Sequence, residues 1–242
     1  MKFLNTIIFY LNSYVHYVFD YLFYKHKYFN GRKLIELGSN IVVIENIVTN
    51  DYCDELVALI EESPLTRKEY SKENYNNVEC FEFILTASKD IDKYKIHDDK
   101  VFSIINECFS LFKQNFTYIN IATDSGYSLR KIYGQTHEHI DWLWNNPNER
   151  RSVSIIIVLN DNYDGGVFEF KSQNIKYKVK KGSAIMFPPY WTHPHNVSTV
   201  NPGQYRYTIN TWGNSLSFMN DSPPPIESNI PIDSLKEKDK DI

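Results

Sequence analysis

A histidine and an aspartate separated by one residue stand out among the side chains that could do chemistry. His139 and Asp141 flank Ile140, directly after a run that is typical of a β-strand. Because strand side chains alternate between two faces, His139 and Asp141 would point to the same side. Together with one further histidine they would form a two-histidine, one-carboxylate metal site, which leaves positions open on Fe(II) for oxygen chemistry.

A third ligand is expected from a later strand, and two histidines qualify. His193 and His195 lie in the segment WTHPHNVSTV, where Val197 and Val200 could anchor a strand in the core. His137 would share a strand face with His139, so it competes for the first position. An ordinary surface or core histidine is the alternative at each place, and a histidine and an aspartate at this spacing also arise by accident in a chain with 7 histidines and 30 acidic residues.

Arg206 follows in the segment GQYRYTINTW and could place a cation on a neighbouring strand. A planar guanidinium binds a carboxylate through two hydrogen bonds, so an arginine beside an open metal site favours a dicarboxylate co-substrate. A solvated surface arginine is the alternative interpretation.

Composition excludes several classes of protein. Hydrophobic residues make up 42% of the 242 residues and aromatic residues 15%, which is typical of a folded chain with a sizeable core. The net charge of -4 gives no overall basic field, so nucleic acid is not expected as a partner. Cys53, Cys80 and Cys108 form no C-x-x-C pair, which favours buried thiols in a reducing compartment and a cytoplasmic protein.

The two ends of the chain differ from its middle. Residues 1–30 are predicted as an amphipathic helix, because Leu4, Ile8, Leu11, Val15, Val18 and Leu22 form one apolar stripe. Polar residues interrupt residues 1–24, so a membrane-spanning helix is not expected, although this segment could contact a membrane or a partner helix. Use of this segment as a signal or anchor would instead make the protein secretory or membrane-associated. Residues 216–242 are predicted as a flexible tail.

The remaining residues, 31–215, are predicted as one domain with two parts. Up to about residue 126, we expect an α/β support in which Asn50 or Asp51 caps one helix and Asp98 or Asp99 precedes another. After Tyr127, short strands separated by turns are typical of a barrel or sandwich. The expected strands are 152–160, 167–171, 175–180, 183–188, 195–200 and 204–212, with a turn at Gly165 and Gly166.

An ordered set of motifs carries a family resemblance. The set consists of H-x-D at 139–141, N-D-x-x-x-G-G at 160–166, KKGSAIMFP at 180–188, HNV at 195–197 and RYTINTW at 206–212. It resembles the prolyl 4-hydroxylase-like branch of the 2-oxoglutarate and Fe(II)-dependent dioxygenases, over roughly residues 34–213. The resemblance implies an α+β fold with a double-stranded β-helix (jelly-roll) core and N-terminal helices packed on it.

The resemblance also implies a site and an activity. His139, Asp141 and His195 would bind Fe(II), and Arg206 would hold the far carboxylate of 2-oxoglutarate, with Tyr133 and Thr208 as weaker candidates for the same co-substrate. The co-substrates would be 2-oxoglutarate and O2, with ascorbate as an accessory candidate. Trp142 and Trp144 could form a substrate wall, and Trp191 and Trp212 could line the pocket, although core packing is the alternative for each of the four.

Hydroxylation of prolyl residues in a peptide or protein is the activity that this branch implies. A free amino acid or another small molecule is the alternative substrate. A jelly roll that binds a ligand without turnover is a different class of function, but it would not require His139, Asp141, His195 and Arg206 together. Demethylation of a nucleobase would call for a basic nucleic-acid surface, which the overall charge does not suggest.

Overall fold

Thirteen β-strands and two α-helices make up the part of the chain that the computed structural model describes, which comprises residues 25–29, 31–67, 78–142 and 150–215. The helices are α1 (Asn50–Glu62) and α2 (Asp92–Asn115), and short 3-10 turns cover Thr86–Ser88 and Lys171–Gln173. The strands are β1 (Lys25–Phe29), β2 (Arg32–Gly38), β3 (Ile41–Ile44), β4 (Thr66–Arg67), β5 (Val78–Ile84), β6 (Thr123–Asp124), β7 (Ser128–His139), β8 (Arg151–Val158), β9 (Phe168–Phe170), β10 (Ile175–Tyr177), β11 (Ser183–Phe187), β12 (His195–Val200) and β13 (Arg206–Asn214).

The strands form one curled antiparallel sheet. Its order is β1-β2-β3-β11-β8-β13-β7-β12-β9-β10, with β4, β5 and β6 attached at its sides. Strand β7 is long enough to serve both layers: residues 128–132 pair with β13, whereas residues 134–139 pair with β12. The sheet therefore folds over at β7 into the two facing layers of a jelly roll, as the sequence predicted.

Successive side chains of β8 and β11 point to opposite faces of the sheet, and each face borders a different hydrophobic core. Ile156, Val158, Ile185 and Phe187 face the space between the two layers. Their neighbours Ile155, Ile157, Ala184 and Met186 face the other way, into a core that also contains the buried residues of α1 and α2. Both faces of the larger layer are thus covered, and the predicted packing of helices on the jelly roll is confirmed.

Helix starts differ from their predicted positions. The N-cap of α1 is Thr49, whose hydroxyl accepts a hydrogen bond from the backbone N–H of Tyr52, one residue before the predicted caps. Helix α2 begins at Asp92 rather than near Asp98, and its N-cap Ile91 has no side-chain oxygen that could signal the start. Asp98 lies inside the helix, where its carboxylate accepts a hydrogen bond from the Thr86 hydroxyl at 2.7 Å.

The ends of the chain are only partly described. Residues 25–29 are the strand β1, paired with β2, and not the end of the helix predicted over residues 1–30. The stripe within residues 1–24 and the tail 216–242 lie outside the described residues. No helix within the described ranges is long and apolar enough to cross a membrane. Cys53, Cys80 and Cys108 are free and buried, as predicted.

The turn predicted at Gly165 and Gly166 is confirmed, with φ angles of 74° and 66°. A Cβ atom on Gly165 would lie 1.7 Å from the backbone oxygen of Thr199, so an alanine there requires the backbone to move.

We expect Gly165→Ala to lower the free energy of unfolding by roughly 3 kcal/mol or more in urea titrations. Gly203→Ala is the matched control, because Gly203 has a similar φ of 82° with no atom within 4 Å of the added Cβ; it should cost about 1 kcal/mol. Equal losses in the two variants would contradict this explanation.

Candidate metal and co-substrate site

Strand pairing brings the two ends of the predicted site together. His139 is the last residue of β7 and His195 is the first residue of β12, and the two are direct partners in the β7–β12 ladder. Their rings lie 4.4 Å apart between centroids. Asp141 follows two residues after His139, beyond the end of the strand. The site therefore forms where β7 leaves the sheet.

The three side chains converge on one point. Asp141 Oδ1 lies 3.5 Å from His139 Nε2, and Asp141 Oδ2 lies 4.0 Å from His195 Nε2. Candidate ligand atoms of all three residues lie within 4.8 Å of one another. Donors that share one ion through bonds of about 2.1 Å lie roughly 3–4 Å apart, so the arrangement fits a bound ion. Two imidazoles and one carboxylate are also the donor set that suits Fe(II) with open positions.

Backbone carbonyls orient both imidazoles in the same way. His139 Nδ1 lies 2.8 Å from the carbonyl oxygen of His137, and His195 Nδ1 lies 3.2 Å from that of His193. A carbonyl only accepts, so each Nδ1 donates, and Nε2 of each imidazole is left on the side of Asp141, where a neutral ring could bind an ion. Such outer contacts fix the tautomer of a metal-binding histidine.

Burial and charge set the ionisation of the three residues. Burial alone would raise the pKa of Asp141, but the hydrogen bond with His139, the nearby imidazoles and the Ser154 hydroxyl hold this pKa well below its usual range. Burial lowers the pKa of His195 to about 4 despite the charge of Asp141. The pKa of His139 is raised, because its contact with Asp141 outweighs the effect of burial. At neutral pH the site thus offers an ionised carboxylate and a neutral His195.

Ser154 is a further member of the site. It is fully buried in β8, and its hydroxyl donates a 2.7 Å hydrogen bond to Asp141 Oδ2. The sequence analysis missed Ser154, although a serine among the apolar residues of RSVSIIIV was a visible signal. Its position follows from alternation, since Ser154, Ile156 and Val158 share one face of β8.

We expect Ser154→Ala to weaken metal binding by roughly tenfold, because the carboxylate would lose the hydrogen bond that orients it. Equilibrium dialysis against Fe(II) under anaerobic conditions measures this change. Ser152→Ala is the control, since Ser152 lies on the same strand but donates to the backbone oxygens of Asn120 and Gly213. Equal affinity in wild type and Ser154→Ala would show that Asp141 needs no such support.

The competing histidines have other partners. His193 Nε2 lies 2.7 Å from the carbonyl oxygen of Ser39, and its Nδ1 lies 2.9 Å from the Thr192 hydroxyl. His137 lies outside the group of converging ligand atoms, although its backbone oxygen orients His139. Between the two candidates for the third ligand, the geometry favours His195.

Arg206 lines the same cavity as the three converging residues. The cavity has a volume of about 220 Å³, and its wall also includes Ile156, Phe168 and Val197. Arg206 is only 4% exposed, stands at the start of β13, and its guanidinium lies 5.3 Å from the centre of the Phe168 ring. A buried cation at the wall of a small cavity suits an anionic group within it.

The two weaker co-substrate candidates differ in position. Thr208 is buried on β13, two residues after Arg206, and its hydroxyl donates to Asn210 Oδ1 at 2.6 Å; Asn210, but not Thr208, lines the cavity. Tyr133 is not brought to the cavity. Its ring packs edge-on against Tyr205, with 5.7 Å between the centroids.

Two arginines in the cavity wall were not predicted. The Arg151 guanidinium lies 3.6 Å from the centre of the Trp212 ring and donates a 2.8 Å hydrogen bond to the backbone oxygen of Asp141. Arg130 forms an ion pair with Glu82 at 3.4 Å. A charged residue at the start of a strand carries no sequence signal that it faces a cavity, so these arginines could only be found from the structure.

The predicted tryptophans have different surroundings. Trp212 lines the cavity, whereas Trp191 is 75% exposed and does not line it. Trp142, directly after Asp141, packs on Tyr190 with 5.3 Å between the ring centroids. Trp144 lies outside the described residues.

Two histidines and one carboxylate that converge at one cavity are the donor set that non-haem Fe(II) oxygenases use. Residues 128–214 match the model of the 2OG-Fe(II) oxygenase superfamily. No curated protein matches the chain.

Solved structures share the fold. The viral collagen prolyl hydroxylase of Paramecium bursaria Chlorella virus-1, in complex with 2OG, is 19% identical with a TM-score of 0.54, over 74% of this chain and 98% of that chain. A Pseudomonas putida prolyl-4-hydroxylase is 14% identical with a TM-score of 0.50, over 74% of this chain and 94% of that chain. A Trichoplax adhaerens prolyl hydroxylase, in complex with a peptide fragment of the hypoxia inducible factor oxygen degradation domain, is 16% identical with a TM-score of 0.51, over 73% of this chain and 84% of that chain.

The shared fold confirms the predicted jelly roll, and the match over residues 128–214 supports the predicted resemblance. The match also supports the predictions of a dioxygenase and of Fe(II), 2-oxoglutarate and O2 at its site.

Proposed function

We propose that this protein is a 2-oxoglutarate-dependent hydroxylase in which His139, Asp141 and His195 hold Fe(II) and Arg206 holds the far carboxylate of 2-oxoglutarate. The observation that carries the proposal is the convergence of the three candidate ligands at a cavity that Arg206 also lines, within the segment that matches the 2OG-Fe(II) oxygenase superfamily. A binding module without turnover would need no such combination.

The residues of the chain would act by binding and positioning. When bound, the metal would supply oxidative decarboxylation of 2-oxoglutarate by O2, with one oxygen atom entering succinate, CO2 leaving, and the other oxygen atom entering a substrate C–H bond. Asp141 offers a carboxylate that stays ionised at neutral pH, and His195 stays neutral and can donate its lone pair. Ile132 and Phe168 supply apolar wall beside the reacting groups.

Prolyl residues of a peptide or protein are the proposed substrate. The resemblance to the prolyl 4-hydroxylase-like branch and the shared fold of three prolyl hydroxylases support this proposal. A free amino acid or other small molecule is the second candidate.

Ascorbate is proposed as an accessory reductant. A cytoplasmic location is also a proposal, as is a contact of residues 1–24 with a membrane or a partner helix.

Turnover with defined substrates tests this function. Full-length protein would be incubated with Fe(II), 2-oxoglutarate, ascorbate and either proline-containing peptides or free amino acids. We expect succinate formation together with the gain of one oxygen atom on a peptide proline, and neither product in His139→Ala. Oxygen insertion into a free amino acid alone would replace the peptide assignment, and binding of 2-oxoglutarate without any decarboxylation would contradict the proposed activity.

A further inference from the structure

Asn210 is a buried polar residue in the wall of the metal cavity. It lies on β13, is only 9% exposed, and lines the cavity together with Arg206 and Trp212. The Thr208 hydroxyl donates a 2.6 Å hydrogen bond to Asn210 Oδ1. Because the oxygen and the nitrogen of an amide lie on opposite branches of one plane, Asn210 Nδ2 is turned away from Thr208. Thr208 lies on the Arg206 side of Asn210, so Nδ2 is directed to the other end of the cavity.

The Asn210 Nδ2 donor has no hydrogen-bond partner among the described residues. Unlike Trp212 Nε1, which is buried without a partner and has almost no accessible surface, Asn210 Nδ2 keeps accessible surface. Buried polar groups in native proteins are nearly always hydrogen-bonded. An open donor on a buried side chain in the wall of a cavity is therefore suited to a ligand inside that cavity.

Strand register places Asn210 near the candidate metal ligands. Asn210 pairs with Ile156 on β8. The next residue on that face of β8 is Ser154, whose hydroxyl holds Asp141. Arg206 stands four residues before Asn210 on the same face of β13, about 13 Å away along a strand. One face of β13 thus carries a cation at one end of the cavity and an amide donor at the metal end.

We propose that Asn210 Nδ2 binds the inner carboxylate of 2-oxoglutarate, at its 2-oxo acid end. The proposed metal ligands lie at the Asn210 end of the cavity, so the inner carboxylate is the group of the co-substrate that reaches this donor. A hydrogen bond from an amide to a carboxylate is charge-assisted and therefore stronger than one between neutral groups. With Arg206 at the far carboxylate, β13 holds both ends of the co-substrate, and Thr208 acts through Asn210 as a positioning residue. The inference rests on the proposed hydroxylase function and adds a binding residue to it.

Pyruvate separates the two ends of the co-substrate, because it has the 2-oxo acid end of 2-oxoglutarate and lacks the far carboxylate. The Fe(II)-loaded full chain would be titrated anaerobically with each compound, and the charge-transfer band in the visible spectrum gives the Kd. We expect Asn210→Ala to raise the Kd for both compounds by roughly tenfold. Arg206→Ala should raise the Kd for 2-oxoglutarate alone.

Variants of Thr208 test how the amide is oriented. Thr208→Val removes the hydroxyl and lets the amide rotate, so it should raise both Kd values by roughly threefold. Thr208→Ser keeps the hydroxyl and should give the wild-type values. Asn214→Ala is the matched control, since Asn214 is a buried asparagine of β13 that bonds to Ser125 and does not line the cavity. Thermal unfolding checks that each variant is folded, and the Thr208 pair tests the assignment if Asn210→Ala does not fold.

Three results would overturn the assignment of Asn210. They are unchanged Kd values in Asn210→Ala, a higher Kd for 2-oxoglutarate without a higher Kd for pyruvate, and a wild-type protein that gives no band with pyruvate. If wild type hydroxylates a substrate and Asn210→Ala binds both compounds normally, the assignment fails and the proposed function stands. If both compounds bind through Asn210 but no substrate is ever hydroxylated, the proposed function fails and the assignment stands.

Discussion

Asp141→Asn is expected to abolish hydroxylation, with a loss of at least about a thousandfold in turnover and a weaker affinity for Fe(II). Asparagine has nearly the shape of aspartate and can still accept the hydrogen bond from Ser154, but it lacks the negative charge that a divalent ion requires. Because the substitution removes a buried charge while keeping the packing, the variant should remain folded. Decarboxylation of 2-oxoglutarate, anaerobic Fe(II) dialysis and thermal unfolding measure the three quantities.

Asp124→Asn is the matched control for this experiment. Asp124 accepts hydrogen bonds from Gly126 N and the Tyr127 hydroxyl at a turn outside the metal cavity. Its substitution should affect stability more than metal affinity. If Asp141→Asn bound Fe(II) as tightly as wild type, Asp141 would not be a ligand and the account of the site would be wrong.

Arg206→Ala should raise the Kd for 2-oxoglutarate by roughly a hundredfold, about 3 kcal/mol, while Fe(II) affinity changes little. Arg206 is buried at the cavity wall, so its removal takes away a charge-assisted contact that water cannot replace. Arg206→Lys keeps the charge but loses the planar fork, and it should recover part of the affinity. Anaerobic titration of the Fe(II)-loaded protein with 2-oxoglutarate gives the Kd for 2-oxoglutarate in each variant.

Arg130 provides the contrast for this second substitution. It also lines the cavity, and its guanidinium is committed to Glu82 and Ser128. Arg130→Ala should therefore raise the Kd for 2-oxoglutarate far less than Arg206→Ala does. If Arg130→Ala raised the Kd for 2-oxoglutarate more than Arg206→Ala did, Arg130 would be the residue that binds the co-substrate carboxylate.

The sequence predicted those parts of the fold that depend on local pattern. Alternation located the strands that contain Ile156 and Ile185, and the ordered motifs predicted the jelly roll. The three converging residues were predicted as well, because their types and order carry the family resemblance. What the motifs could not supply was the local geometry around each residue.

Bulges explain the largest difference around the site. A regular strand would place Tyr133, His137 and His139 on one face. In the structure His139 pairs with His195, Thr136 with Val197 and Gly134 with Val200, so the spacing on the two strands is unequal at both steps. The first irregularity adds a residue on β7, so Thr136 and Ile132 line the cavity with His139, and Tyr133 lies on the other face and packs on Tyr205. Irregular pairing of this kind leaves no periodic trace in a sequence.

The central claim is that one site binds Fe(II) through His139 and 2-oxoglutarate through Arg206, and anaerobic visible absorption tests it most directly. Fe(II) and then 2-oxoglutarate would be added to wild type, His139→Ala and Arg206→Ala. We expect a metal-to-ligand charge-transfer band in wild type, no band in His139→Ala, and a band in Arg206→Ala only at much higher 2-oxoglutarate concentration. The absence of a band in folded wild-type protein would contradict the account.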